Sequence, residues 1–130
     1  MTSDLITRLS KLDAPDREVD AEIAEYLGIV PLDYERAIIH GATKNFFWHK
    51  TDSKAPYLTW EFTSSVDAVL ALAERKLPDA NVLIGWGQTK ETKPWARIGV
   101  IPSHDATGFN LATALLIALL RAKEASNGIR

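Results

Sequence analysis

The stretch YLTWEFTSSVDAVLALAERKL, from Tyr57 to Leu77, decides the fold of this chain. Its first six residues alternate along the chain in a way that predicts a β-strand. Ser64 then stands three residues before Asp67, which is the spacing of a capping box at the start of a helix. Apolar residues recur at helical spacing from there to Leu77. The stretch therefore predicts a strand that leads directly into an amphipathic helix.

Two helices are predicted before this stretch, at about Asp4–Leu12 and Asp16–Leu27. Asp13 is a candidate cap for the second helix, because its carboxylate can accept hydrogen bonds from free N–H groups of the first turn. Gly28 follows the last apolar residue of that pattern and is typical of a helix end. The chain therefore begins with a pair of short helices.

The segment from Ile29 to Lys54 has the least regular pattern. Asn45–His49 is predicted to be a strand, and it pairs with Tyr57–Phe62 in a hairpin with a long polar loop. Ala37–His40 is either a further short strand or the end of a turn.

Two more strands are predicted after the central stretch, at Val82–Trp86 and Trp95–Ile101, with a polar connection between them. Gly85 lies on the phase opposite to the apolar residues, where it lets a helix or a large side chain approach the sheet closely. Pro102 closes the second of these strands.

The last helix is predicted to run from Asp105 or Thr107 to Ala125. It is apolar over half of its circumference or more, so it needs two neighbours, namely the sheet and either another helix or a second subunit. Self-association through this C-terminal helix, or a protein partner bound to it, is therefore expected. Its narrow polar arc contains Asn110, Thr113, Arg121 and Glu124, with Ile117 among them.

The predicted order is α-α-β-β-α-β-β-α in a single domain over residues 1–130. This order indicates the α+β class, with an antiparallel sheet of about four strands and helices on both of its faces. The expected architecture is therefore an α/β/α sandwich.

Composition excludes several classes of function. The 130 residues carry a formal net charge of -2, so a nucleic-acid partner is not expected and a membrane surface offers no attraction. Cysteine is absent, which removes disulfides and thiol nucleophiles and favours a cytoplasmic location. No signal peptide is recognisable. The longest apolar run, Leu111–Leu120, is far shorter than the roughly 20 residues that cross a bilayer.

The chain resembles the phage ABA sandwich domain family, which consists of small uncharacterised proteins of tailed phages and prophages. The residues that carry the resemblance are Ala14–Ala24, Phe62–Leu70, Pro94–Ala96 and Ala112–Ala122. Family members often have a cysteine in the last helix and a proline near its first turn, whereas this chain has no cysteine there and Gly108-Phe109 at the proline position. The resemblance implies a sheet with helices on both faces, and it implies no activity and no functional residues.

No catalytic residue, metal ligand or cofactor is predicted from the motifs. The three histidines are not at the spacing of a two-histidine zinc motif, and neither Ser64 nor Ser65 lies in a nucleophile elbow. His49 and Asp52 are at best half of a metal site.

The aromatic residues of the strands give the strongest signal for binding. Trp60 and Trp86 share the phase of apolar neighbours and are predicted to belong to the core. Two other tryptophans lie beside charged residues, which indicates a candidate binding surface. That surface consists of Trp48, His49, Lys50, Trp95 and Arg97.

The leading hypothesis is a non-catalytic structural or protein-interaction domain of phage or prophage origin. One alternative is a nucleic-acid-binding module that uses strand aromatics. The other is a small metabolite-binding or enzymatic domain with its site near residues 29–54.

Overall fold

The computed structural model describes residues 2–86, 93–99 and 103–128, and in these ranges the chain forms four helices and five strands. The strands form two antiparallel sheets, one of two strands and one of three. The α+β class is therefore confirmed. In chain order the elements are α1 (Thr2–Ser10), α2 (Arg17–Tyr26), β1 (Tyr34–Ile39), β2 (Ala42–His49), α3 (Val66–Lys76), β3 (Val82–Gly85), β4 (Trp95–Ile98), β5 (His104–Thr107) and α4 (Leu111–Gly128).

The prediction of one four-stranded sheet is wrong. β2 pairs with β1, while the predicted strand at Tyr57–Phe62 contributes only one bridge, between Leu58 and Phe47. The two backbone hydrogen bonds of this bridge measure 2.8 and 2.9 Å. Beyond it, the backbone N–H of Thr63 donates to the Asp20 carboxylate, so the chain turns toward α2 and does not continue along β2.

Side chains cap α2 and α3 as predicted, but the capping residue differs from the predicted one in both helices. Ser65, one residue after the predicted Ser64, caps α3, since its hydroxyl accepts the N–H of Ala68 at 3.2 Å. In α2 the cap is Asp16 and not Asp13. The Asp16 carboxylate accepts the N–H groups of Glu18 and Val19 at 2.9 and 3.1 Å.

The three-stranded sheet has the order β3-β4-β5, and β5 replaces the predicted start of the last helix. Only Ala106 is buried among the four residues of β5, so the strand has no apolar alternation that a sequence reading would detect. α4 therefore starts at Leu111 and not at Asp105 or Thr107. The predicted strand residues 100–101 and most of the connection after Trp86 lie outside the described residues.

α4 is the centre of the core. Every residue from Ala112 to Leu120 is buried, including Thr113 and Ile117 of the predicted polar arc. The helix packs against all three strands of the second sheet and against α1 and α3. One chain thus supplies the neighbours that its apolar surface needs, and the sequence-based reason for a second subunit on this helix does not hold.

The two faces of the three-stranded sheet differ in burial. Ala96, Ile98 and Ala106 point toward α4 and are almost fully buried, which confirms the predicted phase of β4. The opposite face, called the outer face below, exposes 55% of Leu83 and 38% of Trp95. The expected second layer of helices is therefore missing from this sheet in the described part of the chain, and a complete α/β/α sandwich is not formed there.

Candidate functional site

The outer face carries a groove across β4 and β5. Antiparallel register places Trp95 opposite Thr107 and Arg97 opposite Asp105, with Ala96 opposite Ala106 between these two pairs. Because both alanine side chains point toward α4, the floor of the groove between the pairs is backbone. These six residues and Arg121 line a cavity of about 570 Å³, called the outer groove below.

Arg97 and Asp105 form a bidentate ion pair along one side of the outer groove. Arg97 Nε and Nη2 donate to the two Asp105 carboxylate oxygens at 2.8 and 3.0 Å. The arginine lowers the pKa of Asp105, and the carboxylate raises the pKa of Arg97. Each group therefore keeps its charged form through the neutral pH range.

Arg121 reaches the outer groove from α4, which packs on the opposite face of the sheet. Its Nη1 donates to the backbone carbonyl of Asp105 at 2.7 Å. A guanidinium has five N–H donors, so most of them stay available after this contact. No carboxylate of the described residues forms an ion pair with Arg121.

The position of Trp95 depends on a glycine. Gly85 is its cross-strand partner on β3, and a Cβ atom built on Gly85 would lie 2.7 Å from Trp95 Cζ2. The prediction that Gly85 lets a large side chain approach the sheet is thus confirmed. Trp86, which was predicted to be core, is 72% exposed because β3 ends at Gly85 and the alternation stops there, whereas Trp60 packs against the core as predicted.

Trp48, His49 and Lys50 lie elsewhere, at the end of β2. They line a second cavity, of about 300 Å³, with residues 51–53 and Tyr57. The two cavities share no lining residue. The structure therefore divides the predicted binding surface into two separate places.

His49 organises the loop after β2. Its Nδ1 accepts the backbone N–H groups of Asp52 and Thr51 at 2.9 and 3.2 Å, so this nitrogen carries no proton in the bonded ring. The Asp52 carboxylate accepts the N–H of Lys54. His49 and Asp52, the candidate half of a metal site, thus both hold the loop together.

A buried polar cluster joins α2, the turn before α3 and the start of α4. Asp20, which is 1% exposed, accepts the N–H of Thr63 at 2.8 Å through Oδ1, while its Oδ2 has no hydrogen-bond partner among the described residues. Thr63 Oγ1 accepts the N–H of Asp16, and the Thr63 carbonyl accepts from Asn110 Nδ2 at 2.9 Å. Burial raises the pKa of Asp20 from 3.8 to about 6, against the opposing effect of the Thr63 N–H.

Sequence reasoning found Trp95 and Arg97 of the outer groove and missed Asp105, Thr107 and Arg121. The first two of the missed residues lie on β5, which no pattern indicates. Arg121 lies on the predicted polar arc of the last helix, and the packing of α4 under β5 brings it to the groove.

Within the described ranges, no group of three or more His, Asp or Glu side chains is arranged to hold a metal ion. None of the helices in these ranges has the length and apolar character that a membrane span requires. Comparisons of the chain with protein-family models, with curated proteins and with solved structures find no match. The resemblance to phage ABA sandwich proteins therefore stays a prediction.

Proposed function

We propose that this chain is a non-catalytic protein-interaction domain and that the outer face is its interaction surface. The observation that carries the proposal is the exposure of large apolar side chains on this face, with Leu83 55% and Trp95 38% exposed. Trp86 follows β3 directly and is 72% exposed. Exposed apolar residues grouped beside polar ones are typical of surfaces that bind proteins, and Trp and Arg are enriched among the residues that dominate binding.

The charged groups of the outer groove support recognition over catalysis. A general acid or base works best with a pKa near the operating pH. Asp105 and Arg97 shift each other's pKa away from neutrality, so both keep fixed charges. Fixed, mutually oriented charges suit the positioning of a partner.

A phage or prophage origin is part of the proposal, and it is supported by the resemblance to phage ABA sandwich proteins. The partner is then another protein of the phage or of its host. The genes adjacent to the coding sequence provide the check, because head, tail or lysis genes beside it would agree with this origin and housekeeping genes would contradict it.

A capture experiment with matched leucine variants tests the interaction surface. Leu83→Ser changes the outer face, whereas Leu32→Ser changes a 90% exposed leucine in the loop before β1. With the purified chain as bait in a lysate of the organism that encodes it, Leu83→Ser is expected to lose proteins that Leu32→Ser retains. Identical captured sets for both variants would contradict the proposal.

Nucleic-acid binding is the second candidate function, and Trp95 beside Arg97 and Arg121 in one groove is the observation that favours it. Strand aromatics next to cationic side chains can stack bases. The net charge of -2 opposes this function. A titration with single-stranded DNA and RNA at low salt, followed by tryptophan fluorescence, decides the matter, since binding is expected to change the Trp95 signal.

The cavity after β2 favours a third candidate, a small-ligand site near residues 29–54. Its volume of about 300 Å³ lies at the lower end of the range for ligand pockets. Changes of the His49 and Trp48 ring signals in an NMR screen of small metabolites would support a ligand there, and an unchanged spectrum would remove this candidate.

A further inference from the structure

We infer that the outer groove binds an extended peptide segment that carries an acidic side chain, and that the peptide carboxylate binds to Arg121. The inference rests on the proposed function and deepens it, because it names the chemistry of the partner. It follows from the shape of the groove, from the charges around it and from the area of the outer face.

The groove is too narrow to admit a helix. Its two sides are the Trp95–Thr107 and Arg97–Asp105 pairs, which lie two residues apart along β4 and β5. Since an antiparallel strand rises about 3.4 Å per residue, the Cα atoms of the two sides are about 7 Å apart. A helix, with a diameter of about 10 Å, is too wide to enter between them, whereas a side chain of an extended segment laid over the groove can reach in.

The charges of the groove select an anion. Arg97 and Asp105 neutralise each other through two hydrogen bonds. Arg121 contributes a further positive charge, and within the described residues its only hydrogen bond in the groove is to the Asp105 carbonyl. The lining therefore has a net charge of +1, and the free donors of a guanidinium match the two oxygens of a carboxylate.

The surroundings of the groove suit apolar side chains beside the acidic one. Leu83 lies opposite Arg97 on β3, on the same face as Trp95. Both side chains are accessible, so they can contact the residues that flank the carboxylate in a bound peptide. The complementary segment thus combines one acidic residue with apolar neighbours.

The area of the outer face, over the described residues, is small for a stable dimer. Three strands of four residues measure about 14 Å in each direction, or roughly 200 Å² in projection. A stable protein interface needs about 800 Å² on each partner. A short segment is therefore the occupant that matches the described area of this face.

A polyanion is a poorer match than a peptide carboxylate. Nucleic-acid affinity grows with the number of phosphates that a protein neutralises, and the groove offers one uncompensated arginine on a chain with a net charge of -2. The peptide inference is therefore preferred, and nucleic-acid binding becomes an outcome of the test.

Two blocked tripeptides that differ in one group test the inference. Acetyl-leucyl-glutamyl-leucine amide carries the carboxylate, and its glutamine counterpart has the same shape without the charge. Each is titrated into the isotope-labelled chain, followed by the amide signals of β4 and β5 and the indole N–H signal of Trp95. We expect the amide signals of β4 and β5 and the indole signal of Trp95 to move with either peptide. The glutamate peptide should bind about threefold to tenfold more tightly than the glutamine peptide, which is the range for an accessible charge-assisted contact.

Variants of Arg121 test whether this side chain binds the peptide carboxylate. Arg121→Gln is expected to remove the preference for the glutamate peptide, and Arg121→Lys to retain part of it. Arg75→Gln is the control, because Arg75 is exposed on α3 and lines a different cavity. An unchanged preference in Arg121→Gln, with the variant folded by its amide spectrum, would overturn the inference.

The remaining outcomes separate this inference from the proposed function. Equal binding of the two tripeptides at β4 and β5 would overturn the carboxylate inference and leave the outer face as an interaction surface. Signals that move only outside the outer face would overturn the inference for this groove. Stronger shifts of the same signals with a dinucleotide would replace it with the nucleic-acid alternative.

Discussion

The buried polar cluster and the outer groove contain similar chemical groups in opposite surroundings. In the cluster, Asp20 and Asn110 bond to backbone groups of Thr63, which is fully buried. In the groove, Arg97 and Asp105 bond to each other at the surface, with their side chains 48% and 56% exposed. The same kinds of hydrogen bond therefore have different consequences for stability.

The difference arises because water can replace a lost hydrogen-bond partner at the surface but not in the core. A buried backbone group that loses its partner keeps the full cost of desolvation, about 1–3 kcal/mol, whereas an exposed group is resolvated. The buried cluster thus fixes the positions of α2, α3 and α4 relative to one another. The outer groove contributes little to folding, and its side chains are free to serve binding.

Asn110→Ala should produce the largest loss of stability. The change leaves the buried Thr63 carbonyl without its donor and removes the acceptor for the Thr113 N–H at the start of α4. A lost cap costs about 1 kcal/mol and an unsatisfied buried group about 1–3, so the free energy of unfolding should fall by about 3 kcal/mol. Urea denaturation measures it.

Asn45→Ala provides the control for this prediction, since Asn45 is an exposed residue of β2. Its expected effect is within about 0.5 kcal/mol. Similar losses for both variants would show that the buried cluster has no special role.

Asp20→Asn should change the pH dependence of stability. The folded chain raises the pKa of Asp20 from 3.8 to about 6, so between these values the folded state binds more protons than the unfolded state. The favourable contribution of this group is complete below 3.8 and is lost as the pH rises to about 6. Relative to Asp20→Asn, the unaltered chain should lose about 2 kcal/mol between about pH 4 and pH 7.

Denaturation of both proteins at a series of pH values checks this prediction. The comparison cancels the contributions of the other carboxylates to the pH dependence, because both proteins contain them. One of these is Glu22, whose pKa is lowered by Arg8, so its stabilising contribution is lost at acid pH. A constant difference between the two proteins across the series would show that Asp20 does not titrate in this range.

Sequence patterns predicted the helices well, because each helix has a local periodicity. α3 lies where it was predicted, whereas α4 starts four to six residues later than predicted, because β5 occupies that stretch. The division into two sheets had no local signal. It depends on contacts such as Thr63 with Asp20, which are 43 residues apart in the chain.

The outer groove was predicted only in part, because a local pattern indicates some of its residues and not the others. Trp95 and Arg97 lie on a strand with a clear alternation, and their exposure follows from its phase. Asp105 lies on β5, where polar residues give no alternation, so its pairing with Arg97 is visible only from strand register. The sequence therefore predicts the groove residues that lie on a strand with a clear alternation. It does not predict those that only the pairing of strands brings to the groove.

Removal of the Arg97–Asp105 pair should have a much smaller effect on stability than Asn110→Ala. Exposed ion pairs are weakened by solvent and by the ordering of two side chains. A double-mutant cycle with Arg97→Ala and Asp105→Ala, measured by denaturation at low and high salt, should give a small coupling that salt reduces further. A coupling that equals the loss in Asn110→Ala would place this pair among the residues that determine the fold.

Gly85→Ala should have the smallest effect on stability and a clear effect on the outer groove. The new Cβ would lie 2.7 Å from Trp95 Cζ2, so the indole must move. Replacement of a strand glycine by alanine is otherwise favourable by roughly 0.5–1 kcal/mol, which offsets part of the strain. The fluorescence of Trp95 should therefore change while the free energy of unfolding stays nearly constant.

Gly85→Ala made in a Trp95→Phe background shows whether the change in fluorescence comes from Trp95. If the indole of Trp95 is the group that moves, Gly85→Ala has no spectral effect once Trp95 is replaced. The same spectral change in that background would locate the disturbance at another tryptophan, and the outer face would then be more rigidly coupled to the core than its exposure indicates. A side chain that moves without loss of stability is the behaviour expected of a binding surface, because the buried core, and not the outer face, maintains the fold.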